Sequence, residues 1–86
     1  MASQSKIELV FVVNGNPVSE EVNVNEPLHA VLGSILSKAG VAGDADKDRW
    51  DFKFNDQLLD SGKKISEFGF PAGAQIFVNM KAGVVG

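Results

Sequence analysis

The stretch Pro27-Leu28-His29-Ala30-Val31-Leu32-Gly33-Ser34-Ile35-Leu36-Ser37-Lys38-Ala39-Gly40 decides the fold. Leu28, Val31, Leu32, Ile35 and Leu36 recur at spacings of three and four, which gathers them into one apolar stripe along a helix. Asn25 and Glu26 lie just outside it. Pro27 suits the first helical position, where its missing N–H costs nothing. Lys38 complements the negative end of the helix dipole, and Gly40 can take the left-handed conformation that closes a helix. Gly33 inside the helix costs about 1 kcal/mol relative to alanine. A single helix with one apolar stripe has to bury it against another layer.

The flanking segments supply that layer. Ile7 to Val13 is rich in β-branched and aromatic residues, which favour a strand. Asn14-Gly15 follows, and both residues tolerate positive φ, so the pair signals a tight hairpin. Pro17 to Val24 is the return strand, with Val22, Asn23 and Val24 alternating as a half-buried strand does. Beyond the helix, residues 41–49 form a loop. Trp50, Phe52 and Phe54 then alternate with Asp51 and Lys53, giving a third strand with an aromatic inner face. Asn55-Asp56 is a turn, Leu58-Leu59 a short fourth strand, and Asp60-Ser61-Gly62 a further turn. Ile65, Phe68 and Phe70 anchor an irregular segment, and Pro71 to Gly73 turns the chain. Gln75 to Met80 is the last strand, with Ile76, Val78 and Met80 on one face.

The expected fold is therefore α+β: a mixed sheet of four to five strands packed on one main helix, in the order β-β-α-β-β-β. Residues 1–5 are expected to be a flexible N-terminus, 6–81 the folded domain and 82–86 a flexible tail. At 86 residues there is room for one core. Apolar residues at 44% and charged residues at 22% make an ordinary globular balance.

Composition also narrows the chemistry. There is no cysteine, which excludes disulfides, thiolate metal ligation and cysteine nucleophiles. A formal charge of −3 argues against nucleic acid, which rewards a basic face. The longest apolar run, Leu9 to Val13, is far too short to span a membrane. The opening residues lack the apolar core of a signal peptide. These features lead us to expect a soluble, cytoplasmic monomer without cofactors.

The ordered set of short motifs resembles the ubiquitin family. It is carried by Asn14-Gly15, by Leu28, Val31, Ile35 and Gly40, and by Phe52-Lys53-Phe54-Asn55-Asp56-Gln57-Leu58-Leu59. It continues through Asp60-Ser61-Gly62-Lys63-Lys64-Ile65-Ser66-Glu67-Phe68 and Ala74-Gln75-Ile76-Phe77-Val78, and ends in a glycine-terminated tail. The resemblance covers about residues 6–86. It implies the ubiquitin-like β-grasp fold and a divergent, bacterial type of ubiquitin-like protein. Two departures stand out. Ubiquitin ends in paired glycines, whereas this chain ends Ala82-Gly83-Val84-Val85-Gly86. Ubiquitin also meets partners through an aliphatic patch on its sheet, and the matching positions here are the polar Lys53 and Asn79.

The resemblance implies a protein modifier joined to amines through an isopeptide bond. Partner enzymes would activate and conjugate the Gly86 carboxylate, approached through Gly83, Val84 and Val85. A terminal residue without a Cβ fits a narrow activating site. Residues 81–86 could extend roughly 20 Å at about 3.3–3.6 Å per residue. A frayed end is the plainer account of such a tail. Lys38, Lys47, Lys63 and Lys64 are candidate acceptors for another copy, though surface lysines serve solubility first. A non-conjugated interaction module, with Lys53, Phe77 and Asn79 as its binding face, is the alternative, and a sulfur carrier a remoter one. Trp50, Phe52, Phe54 and Phe68 read as core. Either Val10 or Phe11 faces outward.

Other candidates fail on pattern. Asp44, Asp46 and Asp48 have the spacing of a calcium loop, but Arg49 stands where that loop needs glycine and Asn55 where it needs glutamate. His29, the one histidine, has no second ligand type beside it and reads as a partly exposed surface residue. No nucleophile elbow or phosphate loop is present. We therefore expect no enzymatic activity, and partners that are proteins.

Overall fold

The computed structural model describes residues 5–41 and 49–80. Five strands form one sheet: β1 Lys6–Val13, β2 Asn16–Asn23, β3 Trp50–Phe54, β4 Gln57–Leu58 and β5 Gln75–Met80, in the spatial order β2-β1-β5-β3-β4. β1 and β5 run parallel, and every other neighbouring pair is antiparallel. The α-helix α1, Leu32–Lys38, covers one face. The fold is α+β, a ubiquitin-like β-grasp.

Local chemistry explains the connections. Asn14 and Gly15 have φ of 49° and 88°, so both central residues of the first hairpin are left-handed, the geometry that matches strand twist. Asn55 and Asp56, at 53° and 66°, repeat the device between β3 and β4. Helix α1 ends in a double hydrogen-bonded cap: the Val41 N–H donates to Leu36 O (2.9 Å) and the Gly40 N–H to Ser37 O (3.1 Å). Gly40 supplies the positive φ, 77°, that this closure needs.

The core lies between α1 and the inward sheet face. Phe11, Phe52, Leu32, Ile35, Ile76 and Val78 are at most 1% exposed. Phe11 points inward and Val10 outward, which settles that alternative. Phe54 and Phe68 are only partly buried; with Phe70 they form a satellite cluster, with ring centroids 5.0 and 5.2 Å from Phe70.

Two expectations are corrected. The helix is not continuous. Leu28–Val31 is a tight 3-10 turn, and α1 begins only at Leu32. The Leu28 and His29 N–H groups donate to Lys63 O and Ser61 O, while Ile65 and Ser66 donate back to Glu26 O and Val24 O. This lacing holds the first turn against the 61–66 segment, and a 3-10 turn is a common way to begin a helix under such constraint. Pro27 is accordingly the extended residue before the turn (φ −66°, ψ 151°), not its first helical residue. Met80 shares a face with Ile76 and Val78 as expected, and it is 45% exposed at the end of its strand.

Candidate functional site

Strand alternation puts Val12, Phe77, Lys53 and Leu58 on the sheet face opposite α1. The register aligns them. Val12 pairs with Pro17 on one side and Phe77 on the other, Phe77 pairs with Lys53, and Lys53 pairs with Leu58. The resulting row, Pro17–Val12–Phe77–Lys53–Leu58, crosses all five strands and spans roughly 19 Å at about 4.8 Å per strand. Phe77 is 44% and Leu58 64% exposed. Four of its five side chains are apolar, and Lys53 contributes an aliphatic stem beneath its charge. Asn79 pairs with Asp51 one row away, toward Met80 along β5.

The sequence reading named Lys53, Phe77 and Asn79 for this face but missed Leu58. The signal was present. Asn55-Asp56 closes a two-residue hairpin, so counting outward pairs Phe54 with Gln57 and then Lys53 with Leu58. Glu20 was missed as well. It occupies the inward phase of β2 between Val18 and Val22. Its Oε2 accepts a hydrogen bond from Ser34 Oγ at 2.8 Å, and its Oε1 pairs with Lys38 Nζ. Burial opposes ionisation of Glu20, but the hydrogen bonds from Lys38 and Ser34 and the Lys38 charge outweigh it and hold the carboxyl below its ordinary value.

The remaining candidates are scattered. Lys38 is on α1 in that ion pair. Lys63 and Lys64 are exposed on the segment laced to the first helical turn. Lys63 lies beside an acidic turn in which the Gly62 N–H donates to Asp60 Oδ1 (3.0 Å). His29 is half-buried. Lys47, the aspartates of the calcium-like pattern, and Gly83, Val84, Val85 and Gly86 lie outside the described residues. Among the described residues, no group of three or more His, Cys, Asp or Glu could hold a metal, and no helix is long and apolar enough to cross a membrane.

Comparison with known proteins agrees with this architecture. An archaeal ubiquitin from Caldiarchaeum subterraneum superposes with a TM-score of 0.71 at 17% identity, over 94% of this chain and 98% of that one. The N-terminal ubiquitin-like domain of the 4931431F19Rik protein gives 0.72 at 15%, over 98% and 83%. A structure described as molecular mimicry of SUMO promoting DNA repair gives 0.74 at 10%, over 90% and 94%. At these identities the likeness shows the fold alone. A curated relative from Sinorhizobium fredii, the uncharacterized protein y4jI, is 45% identical over 83 residues. The match takes in 94% of this chain and 62% of that protein, so the chain spans under two thirds of its relative's length. The model of the family described as a protein of unknown function, DUF2604, matches residues 2–86, and the chain therefore belongs to the DUF2604 family, whose member here is a ubiquitin-like β-grasp.

Proposed function

We propose that the chain is a ubiquitin-like protein modifier. Its Gly86 carboxylate would attack the α-phosphorus of ATP on a partner enzyme, releasing pyrophosphate and leaving an acyl-adenylate. A thiol and then a lysine amine would displace AMP and the thiol in turn, ending in an isopeptide bond. This chain contributes no catalytic group; it presents a surface and a reactive end, in the cytoplasm. The observation that supports the reading is the place of β5 in the ubiquitin-like sheet. This central strand of the sheet, paired with β1 on one side and β3 on the other, is described to Met80, and residues 81–86 follow it in the sequence. The test is to incubate the chain, ending at Gly86, with ATP and a candidate activating enzyme, and to look for adenylate, thioester and isopeptide adducts by mass spectrometry. Adducts that vanish when Gly86 is deleted are expected; their absence with an enzyme that activates its own known substrate would remove the proposal.

A second reading is favoured by the row Pro17–Val12–Phe77–Lys53–Leu58. A non-conjugated module docking through this face would keep its binding when residues 82–86 are removed and lose it in Phe77→Asp. The modifier requires the tail. The sulfur carrier would instead show a C-terminal thiocarboxylate as a mass gain.

A further inference from the structure

The hairpin between β1 and β2 turns on Asn14 and Gly15, whose φ values of 49° and 88° place both in the left-handed region. Both residues are exposed. The turn is held from behind: Val13 pairs with Asn16, and the Asn14 N–H donates to Val78 O in β5 at 3.2 Å. An asparagine followed by glycine is also a reactive pair, because the glycine nitrogen can attack the side-chain amide carbon with no Cβ in its way. Here the approach is open, since even a Cβ built at Gly15 would meet nothing within 4 Å. The other asparagines are worse placed. Asn16 precedes Pro17, whose nitrogen has no proton to give up. Asn23, Asn25, Asn55 and Asn79 precede Val24, Glu26, Asp56 and Met80, each with a side chain beside the attacking nitrogen.

The closed turn withholds the reaction. Ring closure needs Asn14 Cβ and the Gly15 nitrogen nearly eclipsed about the Cα–C bond. The left-handed conformation, with ψ about +47°, sets them nearly opposite each other. Attack therefore waits until the Val13–Asn16 rung and the bond to Val78 give way and Asn14 can rotate. We propose that Asn14 is a self-modification site gated by opening of this hairpin, and that its isoaspartyl product keeps the hairpin end from closing again. The Gly15 N–H gives its proton to hydroxide, and the nitrogen attacks Asn14 Cγ. The new C–N bond closes a five-membered succinimide, the bond to the side-chain nitrogen breaks, and that nitrogen takes a proton and leaves as ammonia. Water then adds to the former main-chain carbonyl of Asn14 and breaks its bond to the Gly15 nitrogen. The main chain now runs through Cβ and Cγ, one carbon longer, with a free carboxylate beside it. A two-residue hairpin depends on its exact length and on positive φ at both central positions, so the lengthened turn no longer returns Asn16 to its place opposite Val13. Water is the one co-reactant, and the inference stands whether or not the chain is conjugated.

The test incubates the full chain in mildly alkaline buffer, folded and unfolded in urea, beside Asn14→Gly and Asn14→Asp. Asn14→Gly keeps a turn-forming pair without the amide, and Asn14→Asp carries the product's charge on an ordinary backbone. Peptide mapping by mass spectrometry should find a gain of about one mass unit at Asn14, at least tenfold slower in the folded chain than in urea, and none at this turn in Asn14→Gly. The isoaspartyl form, separated by ion exchange, should show faster amide hydrogen exchange on both sides of the turn, while Asn14→Asp matches the unmodified chain. A folded rate equal to the unfolded one, a gain spread evenly over the asparagines, no gain at Asn14 in the folded chain, or an isoaspartyl form that exchanges like Asn14→Asp overturns the proposal.

Discussion

Lys53 stands directly opposite Phe77 on the sheet face that α1 leaves uncovered, and Leu58 flanks it on the other side. In the next position along β3, Phe52 points the other way into the core at 1% exposure. One strand therefore separates an exposed face from a buried one by a single residue.

That alternation sets the first prediction. Phe52→Ala should cost about 3–5 kcal/mol, because it removes a fully buried ring and leaves a cavity. Phe77→Ser should cost about 1 kcal/mol or less, since it gives up only cross-strand contacts on an exposed surface. Urea unfolding of both variants measures the difference; comparable losses would mean that Phe77 is packed, not available for recognition.

The glycines of the helical segment give an opposite-sign pair. Gly33 lies on the exposed side of α1, and a Cβ there would meet nothing within 4 Å. Gly33→Ala should therefore stabilise the domain by roughly 0.5–1 kcal/mol through helix propensity and a less flexible unfolded chain. Gly40 also has open space, but its φ is 77°. Gly40→Ala should destabilise by about 1 kcal/mol, a steric cost of the backbone, not of packing. Thermal melts of the two variants should move in opposite directions.

Glu8 and Glu21 face each other across β1 and β2, both exposed. Like charges directly opposite on a sheet repel. Glu21→Lys should raise the urea midpoint slightly, and the gain should fade in about 1 M salt, where the screening length is about 3 Å. A gain that survives high salt would point to packing by the lysine stem.

What the sequence made legible was whatever is decided locally. The Asn14-Gly15 turn and the Gly40 cap depend on residues whose own backbone preferences match the geometry. The apolar spacing of Leu28, Val31, Leu32 and Ile35 identified the buried face correctly even though the first turn is 3-10. The split itself was hidden, because it coincides with hydrogen bonds to Ser61 and Lys63, more than thirty residues away. Met80 shows a second limit: alternation tells which way a side chain points, not whether anything covers it. Glu20 shows a third. Its inward phase could be counted from Val18 and Val22, but its partner Lys38 lies eighteen residues on, and only the packing of α1 over β2 brings them together.

The Glu20 contact also sets how the domain responds to acid. Its carboxyl is held below the ordinary value near 4.5. A group whose folded value is depressed contributes stability that is fully present above the unfolded value and is lost as the pH falls through the folded one. The contribution should therefore be constant at neutral pH, begin to decline near 4.5, and disappear once the folded carboxyl is protonated. Glu20→Gln keeps an acceptor for Ser34 but cannot ionise, so it lacks this component at every pH. The stability difference between wild type and Glu20→Gln, followed by thermal melts from neutral pH downward, should be largest at neutral pH and shrink toward zero in acid. A difference that is independent of pH would show that the variant loses packing and not charge, and that Lys38 does not hold Glu20 in solution.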